Sequence, residues 1–267
     1  MSLPKPASTP VSQSKSAALS RTLDLVTRGY TRYITGTCPA HKAIGLTQKL
    51  HDKYGVGCSP AQRITRKKKG LANAALVMYW PGYVGTQAEP GLGSGTAPIM
   101  VPDLGTNQES TLDTPAHPES ALAVSFNSTK RVPDSVPEVA WVLLVTEGAG
   151  PVTEQEELGS VFGNRRLSWL GYELVRLPKR GGTSWTWRRS KSEMADWYAL
   201  LGDQLAHRKQ SAVAETLRLI ARQPGFAGVR SQSWELIQFA RGRGYSGEAP
   251  FLFHMQKICH GIPLRLG

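Results

Sequence analysis

The chain has 267 residues, a net charge of +12 and three cysteines, enough length to bury a sizeable core as one large domain or two small ones. Cys38, Cys58 and Cys259 are odd in number and far apart, which argues against a disulfide framework and leaves a reducing cytoplasm as the simplest compartment. No run approaches the roughly 18 apolar residues of a spanning helix, so no membrane partner is expected.

The positive charge is segregated. Residues 1–80 carry 13 Lys/Arg against 2 Asp/Glu, residues 81–160 carry 2 against 11, and residues 161–267 carry 17 against 7. Two basic segments flanking an acidic one point to nucleic acid, because neutralising phosphates releases condensed counterions. An anionic membrane fits less well: the basic helical patterns back onto Tyr and Ala as much as onto Leu.

Residues 1–17 hold Lys, Ser and Pro without the apolar core of an export signal and are expected to be a disordered leader. Residues 18–70 then predict a basic finger of three short helices. In the first, Leu19, Leu23, Val26, Tyr30 and Tyr33 make one apolar stripe, and Arg21, Arg28 and Arg32 share another face. The second repeats this with Ala43, Leu46, Leu50 and Tyr54 against Lys42, Lys49 and Lys53. The third opens on Ser59-Pro60, a fitting N-cap and first helical residue, and runs through Arg63 into Arg66-Lys67-Lys68-Lys69 before Gly70. Such faces suit phosphate binding; a solvated charged surface is the plainer alternative.

Residues 71–267 are expected to form an α+β body. Leu71 to Trp80, an apolar run ending at Pro81-Gly82, predicts a buried strand or the tail of the third helix running into one, and 82–120 is a Gly/Pro/Ser/Thr-rich stretch without period, expected to be a flexible insertion. Ala121–Asn127 and Val139–Thr146 predict strands, the second continuous enough to be central. Thr153–Phe162 predicts a short helix. Tyr172–Leu177 and Thr183–Arg188 predict a hairpin with Trp185 and Trp187 on one face. Three helical patterns follow, over 192–207, 211–222 and 231–241, then a glycine-arginine segment and a final apolar piece. Strands in the middle with helices on both sides indicate α+β.

No metal-hydrolase, kinase, nucleotide-binding or nucleophile-elbow motif is present. Cys38, His41, His51 and Cys58 lack zinc-finger spacing, so no metal or other cofactor is assigned. Metal-free RNA cleavage fits the inventory that remains, since the ribose 2′-hydroxyl supplies the nucleophile. The protein must then align the reacting atoms and stabilise phosphorane charge. Arginine forks suit that role. Arg21, Arg28, Arg32, Arg241 and Arg243 are therefore the candidate catalytic residues. Lys42, Lys49, Lys53, Arg63, Arg66, Lys67, Lys68, Lys69, Arg188 and Arg189 are the candidate RNA-binding set. His41 and His51 are possible proton carriers, and His207, His254 and His260 fit local hydrogen bonding.

The stretches SRTLDLVTRGYTRY, SPAQRITRKKKG and FARGRGYSG resemble the precursor-CRISPR-RNA processing endoribonuclease of type IV CRISPR systems, in the repeat-associated RNA-binding superfamily. The resemblance implies a ferredoxin-like (RRM-type) sheet body with a helical finger against an RNA stem. It also implies metal-independent cutting of a repeat hairpin with arginines at the cleavage site. The mature RNA would be retained with other subunits of a CRISPR ribonucleoprotein complex in the cytoplasm. The chain departs from that superfamily, whose members open on a strand where this chain is expected to open on a leader and helices, and whose glycine-rich loop is longer than Gly242–Gly247. Two other readings stay open: a non-enzymatic, plasmid-associated DNA-binding accessory protein, and an RNA-binding scaffold subunit docking partners through its acidic middle.

Overall fold

A computed structural model describes residues 9–83, 138–179, 181–255 and 262–264, all within one compact unit. Strand β1 (Thr9–Ser12) leads into helix α1 (Lys15–Thr27), whose N-cap Ser14 accepts from the Ala17 amide. Strand β2 (Arg32–Pro39) follows, then a 3-10 turn (Ala40–Lys42), α2 (Ala43–Tyr54) and α3 (Pro60–Lys68). After β3 (Ala74–Tyr79) and β4 (Glu138–Val145) come the short α4 (Pro151–Gln155), β5 (Gly159–Ser160) and β6 (Ser168–Trp169). The hairpin β7 (Tyr172–Lys179) and β8 (Gly182–Arg189), helices α5 (Lys191–Ala206), α6 (Gln210–Ala221) and α7 (Ala227–Gly242), and β9 (Ile262–Leu264) complete the order.

Two sheets result: six strands in the order β5-β2-β4-β3-β1-β9, and three in the order β6-β7-β8. The apolar runs of β3 and β4 reflect burial on both faces. Ala75, Val77, Val142 and Leu144 face one core with α1, while Ala74, Leu76, Met78, Leu143 and Val145 face another with α2. The first core continues beyond α1 into the three-stranded sheet through Leu174 and Trp187, whose indole N–H donates to the Leu19 carbonyl at 2.9 Å. Helices α5, α6 and α7 close a third core around Trp197, Leu217 and Leu236.

The α+β class is as expected, with β4 central between β2 and β3. The finer ferredoxin-like order, β-α-β-β-α-β, is not the order seen. Two helices separate β2 from β3, β1 pairs parallel with β3, and helices cover both faces of the sheet.

The leader and finger expectations are corrected. Residues 9–12 are a strand hydrogen-bonded between β3 and β9, so the described fold does open on a strand. The helical finger is interrupted by β2, which pairs with β4 along its whole length. The helix stops because Gly29 takes a positive φ (+96°), a conformation that favours glycine. Tyr30 and Tyr33 are buried as expected, but in the turn and strand beyond. The helix expected over 153–162 is only α4, with β5 after it. Apart from residues 82 and 83, the insertion and the strand expected at 121–127 lie outside the described residues. No helix among the described residues is long and apolar enough to cross a membrane.

Candidate nucleic-acid interface

Register places Ile34, Gly36 and Cys38 of β2 opposite Leu143, Trp141 and Val139 of β4, on the sheet face that α2 covers. The Trp141 indole packs against Gly36. A Cβ at that glycine would come within 2.5 Å of the ring, so only glycine admits the tryptophan in this position. The indole N–H is buried and has no acceptor among the described residues.

Helix α2 supplies the opposite wall. Its buried stripe (Ala43, Thr47, Leu50, Tyr54) docks on the sheet, leaving Leu46 and Lys49 beside the tryptophan. A depression of about 550 Å³ opens there, lined by Thr37, Cys38, His41, Lys42, Gly45, Leu46, Lys49 and Trp141. It adjoins a smaller one of about 180 Å³ that shares Leu46, Lys49 and Trp141 and extends to Lys53, Tyr54 and Glu156. Together they form a groove with an apolar, aromatic floor and a lysine rim.

Lys42 and Lys49 have no carboxylate partner among the described residues, whereas Lys53 lies 3.4 Å from Glu156. The Tyr54 hydroxyl donates to the same carboxylate. That hydrogen bond, with the ammonium groups of Lys53 and Lys49, holds Glu156 below the usual carboxylate range. Burial, then the Glu156 hydrogen bond, pushes Tyr54 up. Burial and the Glu138 carboxylate push the Cys38 thiol up, so it stays protonated at neutral pH.

The remaining candidate residues are scattered. Arg21 lies on α1, across the sheet from the groove. Arg28 caps that helix and pairs with Asp24 at 3.0 Å. Arg32 begins β2 on the groove face but pairs with Glu147 at 3.3 Å. Arg241 is exposed near the end of α7, and Arg243 caps that helix with its guanidinium 4.4 Å over the Phe239 ring. Val229 of α7 packs in the core with α1, and about 18 Å of helix separates it from Arg241. The five arginines expected at one cleavage site are therefore not brought together.

Of the expected RNA-binding set, Lys42, Lys49, Lys53, Lys67, Lys68 and Lys69 are exposed. Arg63 and Arg66 are not free. Arg63 donates to the carbonyls of Cys58, Ala74 and Val56 and to the Tyr30 hydroxyl at 2.6–3.0 Å, and Arg66 donates to the Ala72 carbonyl. Arg188 is half-buried against Glu173. Arg189 is 0% exposed and donates to Gln223, Ser233 and the carbonyls of Val229 and Ile220. A phosphate backbone cannot reach it.

His41 lines the groove, while His51 Nδ1 accepts from the Gly57 amide. His207 and His254 take local partners, Asp203 and Arg230, and His260 lies outside the described residues. Trp187 is core, and Trp185 packs against the exposed Phe162 with Arg176 over both rings. Among the described residues no three His, Cys, Asp or Glu side chains gather as a metal site. Sequence reasoning missed Trp141 and Gly36, because a continuous apolar run names a buried strand without saying which of its residues borders a groove.

No protein-family model, curated protein or solved structure matches this chain.

Proposed function

We propose that the protein binds RNA along the groove between α2 and the β2 edge. The observation that carries this reading is the juxtaposition of Lys42 and Lys49, without a carboxylate partner among the described residues, with the Trp141 ring seated on Gly36. Stacking on an aromatic floor and phosphate contacts from a cationic rim are the two terms by which proteins hold unpaired strands. Lys67, Lys68 and Lys69 at the end of α3 are further exposed cations outside the groove lining.

The specific form of the reading comes from the family resemblance: cutting of a CRISPR repeat hairpin beside its stem, followed by retention in a ribonucleoprotein complex. In that reaction the 2′-oxygen bonds to the adjacent phosphorus as its proton leaves. The bond to the 5′-oxygen breaks, that oxygen takes up a proton, and a 2′,3′-cyclic phosphate remains. Binding rests on the groove; cutting rests on the resemblance.

The test is to incubate the protein with labelled repeat-type hairpin RNA in chelator, alongside duplex DNA of matching sequence. Tight RNA binding weakened by charge removal at Lys42 and Lys49 supports the groove, and discrete cyclic-phosphate products support cutting. Binding without products removes the endonuclease and keeps the groove. Preference for duplex DNA overturns both and favours the accessory-protein reading.

A further inference from the structure

We propose that a polar pocket on the three-stranded sheet binds a phosphate dianion, either a terminal phosphomonoester or inorganic phosphate. Register sets Ser168 opposite Glu173 and Glu173 opposite Arg188, so these side chains share one face, opposite the face on which Leu174 and Trp187 enter the core. Asn164 and Arg166 from the loop before β6, and Lys191 at the start of α5, complete the lining of a pocket of about 270 Å³.

Two arginines converge on one carboxylate, and Lys191 lines the same pocket. Glu173 lies 3.3 Å from Arg188 and 3.8 Å from Arg166, the second being a long, loose contact. Lys191 has no carboxylate partner among the described residues. The Arg188 Nε–H is buried and has no acceptor there either. A buried donor without an acceptor is unfavourable, and a turn of the guanidinium toward an incoming oxygen would satisfy it. Two positive charges remain after Glu173 is counted, which a phosphomonoester dianion matches and a backbone diester, with one charge, does not. Arginine forks, an ammonium, a hydroxyl and an amide are donors suited to phosphate oxygens. The 16-residue α5 begins here, adding its N-terminal dipole in the same sense.

Glu173 gives the pocket a signature that a purely structural ion pair lacks. It competes with the anion for both arginines, so neutralising it should tighten phosphate binding, whereas a structural salt bridge would only be damaged. The pocket shares no residue with the groove, and its fate does not depend on the RNA reading.

The experiment titrates the full chain with inorganic phosphate at pH 7.5, read by calorimetry and by 31P line broadening. Saturable binding is expected, weakened about five- to tenfold by Arg166→Gln and by Lys191→Gln, both at exposed positions, and strengthened several-fold by Glu173→Gln. It should fall as pH drops through the second pKa of the phosphate, where the dianion protonates: about 6 for a phosphomonoester and higher, near neutrality, for inorganic phosphate. A second arm compares short RNAs ending in a 5′-phosphate or a 5′-hydroxyl. Preference for the phosphorylated end, lost in Lys191→Gln, assigns the pocket to an RNA terminus; equal binding with inorganic phosphate still bound assigns it to free phosphate. Absence of phosphate binding up to about 10 mM, or binding unchanged in the Arg166→Gln/Lys191→Gln double variant, overturns the proposal.

Discussion

Arg189, between β8 and α7, and the lysines at the start of and along α2 carry the same charge and use it in opposite ways. Arg189 has no solvent exposure and spends its fork on Gln223, Ser233 and two main-chain carbonyls, with Glu193 3.9 Å away. Burial lowers its pKa, and the surrounding acceptors hold the charge in place. Lys42 and Lys49 stand in solvent at a groove rim. A planar fork can satisfy several fixed acceptors at once, while an ammonium on a flexible stem acts as a point charge. Basic composition alone therefore overstates the surface available to a polyanion.

The largest effect should come from Arg189. Replacing it with Met strands several buried acceptors and should cost about 3–5 kcal/mol of unfolding free energy. Lys at the same position should recover little, because it lacks the fork. Urea denaturation measures both; a loss below about 1 kcal/mol would mean the network is not what holds α7 to β8. Next is the groove floor. Trp141→Ala should weaken binding of single-stranded RNA by about 1–3 kcal/mol, the usual worth of a base–aromatic stack, and Gly36→Val should mimic it by displacing the ring. If RNA affinity ignores both while the variants stay folded, the floor is not a stacking surface.

The lysine rim should give a smaller effect with a different signature. Changing Lys42, Lys49 and Lys53 to Gln together should lower stability only slightly, through the lost Lys53–Glu156 pair, and weaken RNA binding about tenfold at moderate salt. The slope of log affinity against log salt should fall by about 2, since each single-strand phosphate contact contributes about 0.7. An unchanged slope would place the phosphates elsewhere, with Lys67, Lys68 and Lys69 the next positions to test.

The same contrast shows what was legible beforehand. The continuous apolar runs of β3 and β4, the β7–β8 hairpin and α5, α6 and α7 could be placed because burial writes itself into apolar runs and spacing. Strand β2 could not: Leu23, Val26, Tyr30 and Tyr33 keep helical steps across Gly29, and all four are at least partly buried, though only the first two are on a helix. The glycine was the available signal. Helix α3 misled for another reason. It has no buried residue, and its inward side is made by Arg63 and Arg66 bonding to carbonyls, so charge marked a packing face. The groove lysines were readable as basic, but their neighbours Gly36 and Trp141 become a site only when β2 and β4 pair.

The smallest effect is expected where the two uses of charge meet, at Glu156, which accepts from Tyr54 and Lys53 at the groove end. Its pKa is lowered in the folded chain, chiefly by the Tyr54 hydroxyl. A carboxylate with a depressed folded pKa stabilises the fold above its unfolded value near 4.5, and that contribution is lost as pH falls through the folded pKa. The stability gap between wild type and Glu156→Gln should therefore be small but present at pH 7 and close on acidification below about pH 4.5. RNA binding should move the other way, because removing this carboxylate frees Lys53 and adds a positive charge to the rim. A variant that loses both stability and RNA affinity at neutral pH would show that Glu156 positions Tyr54 and Lys53 for binding and does not merely compete with the polyanion.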